Sequence, residues 1–268
     1  MVHVTRRFEF SAAHRYWRED WSEAENERVF GKCTSRYGHG HNYTLEVTVE
    51  GKTDPVTGMV MNVTDLKRIV GVVLEQFDHK HLNEDTPYFK QLIPTTENIV
   101  RVLWQLLAPQ MPTEAALAKL RLYEMAHLWA DYAGEDETAF ARSYSFSAAH
   151  RLHAVQLSEQ ENQAIFGKCN NPNGHGHNYV LEVSVRGSVD AKTGMVIDLT
   201  SMDRTVHRVI DQLDHHHIDQ EVAAFAEQPS TAENIVVYLW RELAPGFAGR
   251  LAHLKLWETK KNVFEYRG

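Results

Sequence analysis

Between His41 and Val49 apolar and polar residues alternate, with Tyr43, Leu45, Val47 and Val49 on one side, which predicts a strand with one buried face. The turn Asp54-Pro-Val-Thr-Gly58 leads into a further extended stretch, Met59–Val63. From Thr64 to Phe77 the period changes. Leu66, Ile69, Val70, Val73, Leu74 and Phe77 recur at helical spacing, with Thr64 or Asp65 as cap. Thr96–Leu107 repeats that pattern, and Val4–Phe10 and Lys119–Tyr123 add extended segments before and behind. The order β-β-α-α-β, with one more strand near the end, predicts the α+β class: an antiparallel four-stranded sheet with two helices on one face.

The same pattern then starts again. FSAAHR at Phe10–Arg15 returns at Phe146–Arg151, FGKC at Phe30–Cys33 at Phe166–Cys169, and GHGHNY at Gly38–Tyr43 at Gly174–Tyr179, at a constant offset of 136 residues. After Leu-Ala-Pro (Pro109 and Pro245) the offset falls to 134, so Glu124 matches Glu258. A period this long exceeds that of solenoid repeats, so each copy is expected to be a domain, 1–134 and 139–268, joined by the acidic linker Gly134–Thr138. In the second copy Ser230-Thr-Ala-Glu233 reads as a capping box before the apolar helix.

Composition narrows the function. Apolar residues make up 43% and charged residues 24% of 268, as in folded globular chains. Lys and Arg number 28 against 36 Asp and Glu, a formal charge of −8 that argues against nucleic acid as partner, although a local basic pocket for a small anion is compatible with it. No apolar run approaches the roughly 20 residues of a membrane helix. Two cysteines and an N-terminus without an apolar signal stretch point to a reducing, cytoplasmic setting. The unusual count is 16 histidines.

His39-Gly40-His41 sets two imidazoles at i and i+2 of a strand, on the same side, where both can hold one ion. His14 can add a third nitrogen, giving the three-ligand pattern that leaves a catalytic zinc one open position. A lone histidine is more often a hydrogen-bonded structural residue. Recurrence of the whole set at His150, His175 and His177 favours the ligand reading.

Cys33 and Cys169 each precede the first histidine of that pair by six residues; one cysteine per copy excludes a C-x-x-C zinc site. Each is either a small buried apolar thiol or a thiolate base favoured by a nearby cation. Asp78-His79 and Asp214-His215 can pair a carboxylate with an imidazole for proton transfer, or can serve a helix end. His81, His216 and His217 read as solvated or packed. Glu124 and Glu258 end apolar strands and require solvent or a partner, while Glu97 and Glu233 stand by default as helix-start residues.

Taken together, FSAAH, GKC-x5-HGHNY, TGMV, DH, the ENIV helix start and the closing YE/WE resemble the 6-pyruvoyl-tetrahydropterin synthase family, which includes the 6-carboxytetrahydropterin synthases of queuosine biosynthesis. The resemblance covers nearly the whole chain, twice. It implies two tunnelling-fold domains, and zinc held by His14, His39 and His41 and by His150, His175 and His177. It further implies a lyase acting on 7,8-dihydroneopterin triphosphate to give a 6-pyruvoyl or 6-carboxy tetrahydropterin. Cys33 and Cys169 would be the bases, Asp78-His79 and Asp214-His215 the proton relays, and Glu124, Glu258, Glu97 and Glu233 the pterin contacts. The first copy departs from the pattern where Met125 and Leu128 replace Thr259 and Asn262. The implied barrel of three domains, stacked in pairs, predicts a homotrimer with one ring of first domains, one of second domains, and sites at domain interfaces. The alternatives are a non-catalytic zinc or pterin binder, and a barrel enzyme on another pterin or purine.

Overall fold

The computed structural model describes residues 1–268 and divides into two compact units, one of Met1–Ala141 with Arg186–Asp198, the other of Arg142–Val185 with Leu199–Gly268. Residues 139–141 and Arg186–Asp198, which the sequence assigns to the second copy, belong to the first unit.

The first unit contains β1 (Val2–His14), α1 (Glu23–Phe30), β2 (His39–Gly51), α2 (Val63–Leu74), β3 (Lys80–His81), α3 (Leu82–Asp85), α4 (Thr96–Leu107), β4 (Ala115–Met125) and β5 (Leu128–Tyr132). Its strands lie in the order β3-β1-β2-β4-β5. β1 and β2 are antiparallel along their whole length, from Val2↔Gly51 to His14↔His39, which puts the two candidate ligands side by side at one end of the ladder. The alternation at Tyr43, Leu45, Val47 and Val49 faces the core, where Leu66, Val70, Ile99 and Leu103 of the two long helices pack. Burying each such side chain contributes roughly 1.5–3 kcal/mol before entropy is subtracted. The sheet is not the simple four-stranded one expected: β3 adds a short parallel pairing at Ala12↔Lys80.

The second unit repeats the plan with β6 (Thr138–His150, its first residues lying in the first unit), α5 (Glu159–Phe166), β7 (His175–Gly187), α6 (Leu199–Ile210), α7 (Ile218–Glu221), α8 (Ala232–Leu243), β8 (Leu251–Trp257) and β9 (Val263–Tyr266). Its strand order is β6-β7-β8-β9, with β7 and β8 antiparallel from Val180↔Trp257. The α+β class predicted from periodicity is what the chain adopts. No helix is long and apolar enough to cross a membrane.

Two local expectations are corrected. Met59–Val63 is not extended strand: the Asn62 side chain accepts from Thr64 N at 2.9 Å and α2 begins at Val63. Nor does Ser230 cap α8. Thr231 does so, accepting from Asn234 N, while the Ser230 hydroxyl donates to Asp219 at 2.6 Å. The capping box forms elsewhere, between Ser158 and Glu161 at the start of α5.

Candidate functional site

His14 ends β1 and His39 and His41 begin β2, so the register that pairs the strands also gathers three imidazoles. One ring nitrogen from each lies within 4.8 Å of the other two, and the same holds for His150, His175 and His177. His14 is fully buried, and its Nδ1 lies 2.9 Å from the Pro94 carbonyl; a carbonyl only accepts, so Nδ1 carries the proton and Nε2 presents a lone pair to the cluster. His150 does the same toward the Ser230 carbonyl at 2.8 Å. Burial, then the neighbouring His39, holds the His14 pKa down to about 3, and burial lowers His39, His150 and His175 as well. Neutral imidazoles are the form that binds a metal. His41 Nε2 and His150 Nε2 are buried with no hydrogen-bond partner. The donor set, tautomers and orphaned nitrogens fit a zinc ion.

Asp78-His79 follows the end of α2, and its backbone is unusual. His79 has φ 57° and His215 φ 61°, left-handed values for non-glycine residues. Each is held in place twice: His79 N donates to Ser11 O at 2.6 Å, and Asp78 accepts from Ser11 N at 2.8 Å. His215, Ser147 and Asp214 repeat both contacts. The imidazoles lie 2.9 and 3.0 Å from the adjacent carboxylates, and the backbone N–H from Ser11 or Ser147 is the main influence lowering the Asp78 and Asp214 pKa values. A cleft of about 450 Å³ is lined by both His79 and His41, and one of about 430 Å³ by both His215 and His177. The structure thus brings each Asp-His pair to a cleft shared with a candidate ligand.

Glu124 and Glu258 reach the same clusters by different means. Glu124 is buried, 3.5 Å from His41 Nε2, and accepts from Thr96 Oγ1 at 2.6 Å and Tyr16 OH at 3.3 Å. Glu258 lies 3.9 Å from both His150 and His177, but Leu152 and Ala232 stand where those donors would be, and Asn262 Nδ2 donates instead at 3.4 Å. Thr259 accepts from the Lys261 and Asn262 amides to shape that turn. The loss of Thr259 and Asn262 equivalents at Met125 and Leu128 is therefore matched by new donors from Tyr16 and Thr96.

Cys33 is half-buried beside Tyr16 and Phe30 and is no member of the three-nitrogen cluster. Burial and then the Glu124 charge push its thiol up to about 11, opposite to the direction expected of a base, because the chain alone places an anion near it.

Glu97 is 2% exposed and accepts from Val196 N at 3.0 Å. Thr95 Oγ1 donates to Gly194 O at 2.6 Å, and Met195 packs with Tyr16, Phe30 and Ile93. Burial raises the Glu97 pKa to about 7. Its counterpart Glu233 is exposed. The TGMV turn of the second copy, which lies in the first unit, occupies the place beside Glu97.

Two further pairs stand by the site, His81 with His217, expected as solvated or packed, and Asn26 with Asn162, which no sequence expectation covers. An added Cβ on Gly38 or Gly174 would lie 2.6 or 2.5 Å from Nε2 of His81 or His217, so these imidazoles press against the entry to each HGH segment. Asn26 and Asn162 are fully buried and each ties the loop after the first histidine to a helix start, Asn26 through the Arg18 amide and carbonyl. Both pairs recur at the duplication offset, the signal that marks them.

The family model described as 6-pyruvoyl tetrahydropterin synthase matches residues 3–135 and again 140–268. The 6-pyruvoyl tetrahydrobiopterin synthase of Poecilia reticulata is 48% identical over 129 residues, 47% of this chain and 88% of that protein. The dihydroneopterin monophosphate aldolase of Pyrococcus furiosus is 33% identical over 118 residues, 44% of this chain and 85% of its own. The structure of Caenorhabditis elegans 6-pyruvoyl tetrahydropterin synthase covers 49% of this chain and 96% of its own at 44% identity, with a TM-score of 0.48.

Proposed function

The chain belongs to the 6-pyruvoyl tetrahydropterin synthase family along both of its copies, and from that premise we propose that it is a zinc-dependent lyase. Its substrate would be 7,8-dihydroneopterin triphosphate, converted with loss of triphosphate to a 6-pyruvoyl or 6-carboxy tetrahydropterin. The observation that carries the reading is the occurrence, in both copies, of an imidazole triad, one ring buried and two half-buried, with a strand-end carboxylate within 4 Å of at least one of its nitrogens.

His14, His39 and His41, and His150, His175 and His177, would hold zinc. Zinc supplies Lewis acidity toward substrate hydroxyls and a positive charge that favours ionised thiols nearby. Glu124 and Glu258 accept from the pterin ring N–H and amino group, a charge-assisted pair of contacts that sets the side chain against the triad. Glu97 and Glu233 line the same helix starts. Cys33 and Cys169 take the carbon-bound proton, and His79 and His215, oriented by Asp78 and Asp214, return a proton from the open side of the cleft.

A cavity of about 600 Å³ in the first unit is lined by Arg15, Arg18, Arg36 and Lys90 beside His81 and also by Glu19, Asp20 and Glu84; Arg18 is paired with Asp20, which leaves Arg15, Arg36 and Lys90 to meet the anionic tail of such a substrate. Of the four cations only Arg15 has a basic counterpart in the second copy, Arg151; Ala154, Pro172 and Ala226 replace the others.

The test is incubation of the pure protein with dihydroneopterin triphosphate and analysis for a pyruvoyl pterin, or for carboxypterin with acetaldehyde. The aldolase relative supports a second reading, cleavage of the pterin side chain without either product, which the same analysis separates. Binding without turnover would identify a non-catalytic pterin protein.

A further inference from the structure

Three cations on the wall of the 600 Å³ cavity in the first unit are held by groups other than carboxylates. Arg15 lays its guanidinium 3.9 Å over the Trp17 ring and donates to the Thr34 carbonyl at 3.0 Å, next to Cys33. Lys90 Nζ donates to the carbonyls of Asn83 and Glu84 at 2.8 and 2.7 Å, and Arg36 stands over the Tyr37 ring at 5.6 Å. Ring faces and carbonyls orient these groups without cancelling their charge. Arg18 is held by Asp20, and Glu19 and Glu84 are the other carboxylates on the wall. His81 lines both this cavity and the cleft that contains His41 and His79, so the two spaces meet at one imidazole.

The second copy keeps the imidazole triad and the thiol but reverses the sign of this wall. Arg18, Arg36 and Lys90 become Ala154, Pro172 and Ala226, while Glu19, Asp20 and Glu84 become Val155, Gln156 and Gln220. Asn83 and Gln91 become Asp219 and Glu227, and the balance turns from net positive to net negative. The one cation retained, Arg151, is already engaged: its Nε donates to Asn170 O and Oδ1 at 3.2 and 2.9 Å, and Glu159 lies 3.4 Å away. Asp219 is fixed by the Arg151 amide and the Ser230 hydroxyl, both at 2.6 Å, neutral donors that leave its charge in place.

We propose that polyphosphate recognition belongs to the first copy alone, through Arg15, Arg36 and Lys90, and that the second copy serves pterins whose side chain carries no polyphosphate. Phosphate oxygens match guanidinium and ammonium donors, whereas a string of negative charges is repelled by Asp219 and Glu227. The pterin half of this assignment rests on the functional reading; the polyphosphate half stands without it.

Inorganic tripolyphosphate is the probe, titrated calorimetrically at about 0.15 M salt, where diffuse surface attraction is screened. One site per chain is expected. Arg36→Glu combined with Lys90→Glu should weaken it by about tenfold or more, since charge-assisted contacts are lost and repulsion is added. Near-UV circular dichroism checks folding, and Arg36→Glu alone, at an exposed side chain, reads the same cavity should the Lys90 loop misfold. ATP is expected to bind less tightly than dihydroneopterin triphosphate, because only the pterin reaches Glu124. Glu258→Gln should weaken binding of unphosphorylated dihydroneopterin and leave dihydroneopterin triphosphate unchanged, and the charge-reversed variant should do the converse. Two equivalent tripolyphosphate sites, none, or a site indifferent to charge reversal overturns the inference. So does tighter binding of ATP than of dihydroneopterin triphosphate, or loss of the triphosphate ligand in Glu258→Gln. A tripolyphosphate site in a chain that binds no pterin overturns the pterin half together with the functional reading, and zinc content in the same samples bears on that reading alone.

Discussion

His14 Nε2 lies 3.2 Å from His39 Nε2, two imidazole nitrogens face to face at a largely buried position. The His14 proton sits on the other side of its ring, and burial disfavours charging either imidazole. A cation shared with His41 would relieve that juxtaposition; in the second copy the nitrogens of His150, His175 and His177 also lie within 4.8 Å of one another, but His150 Nε2 makes no such close contact.

Zinc content measured by elemental analysis is expected to be two per chain, and His177→Ala should halve it. Unchanged stoichiometry would sink the assignment of His177 as a ligand.

Cys33→Ala combined with Cys169→Ala is expected to retain zinc and the native circular dichroism spectrum while lowering turnover by about 10²–10⁴-fold, the usual contribution of a positioned base. A double variant that turns over at the wild-type rate excludes the thiols from the chemistry.

Glu97 makes stability depend on pH. Its pKa rises from 4.5 to about 7 on folding, so between those values the native state binds the extra proton. Stability of the first unit is therefore greatest, as far as this group is concerned, below pH 4.5 and falls as pH rises through 7, by up to about 3 kcal/mol. Glu97→Gln should flatten that interval in urea melts at stepped pH; an unchanged slope would show that Glu97 is not its source.

His79 and His215 hold left-handed backbone that glycine adopts without strain. His215→Gly is expected to keep the fold, to gain about 1 kcal/mol from strain relief less any loss of the Asp214 contact, and to slow turnover by the second copy. Read in a Cys33→Ala background, full activity would mean that the strained imidazole has no catalytic part.

Much of this was legible in the chain because strand geometry is local. Alternation at Tyr43–Val49 fixed which face is buried, and the i, i+2 spacing of His39 and His41 placed both on one side, while His14 could be added because the triplet recurs at His150. Other features depended on contacts that no spacing encodes. Ser230 and Glu233 satisfy the pattern of a capping box, yet Asp219 competes for the serine hydroxyl and Thr231 takes the cap. Spacing leaves Cys33 as either a buried thiol or a base beside a cation, and only the fold brings Glu124, distant in sequence, to act on its charge after burial. Arg186–Asp198 reads as second-copy chain in every motif and still folds with the first unit, because membership is decided by where Met195 finds apolar neighbours.

The Val196 amide that meets Glu97 is joined to it by a continuous polypeptide. A tethered partner is present at an effective concentration on the order of millimolar however far the protein is diluted. The cover over Glu97 is thereby insulated from expression level, whereas Glu233 has no such leash. The pH dependence that Glu97 gives to stability should then hold unchanged across a dilution series.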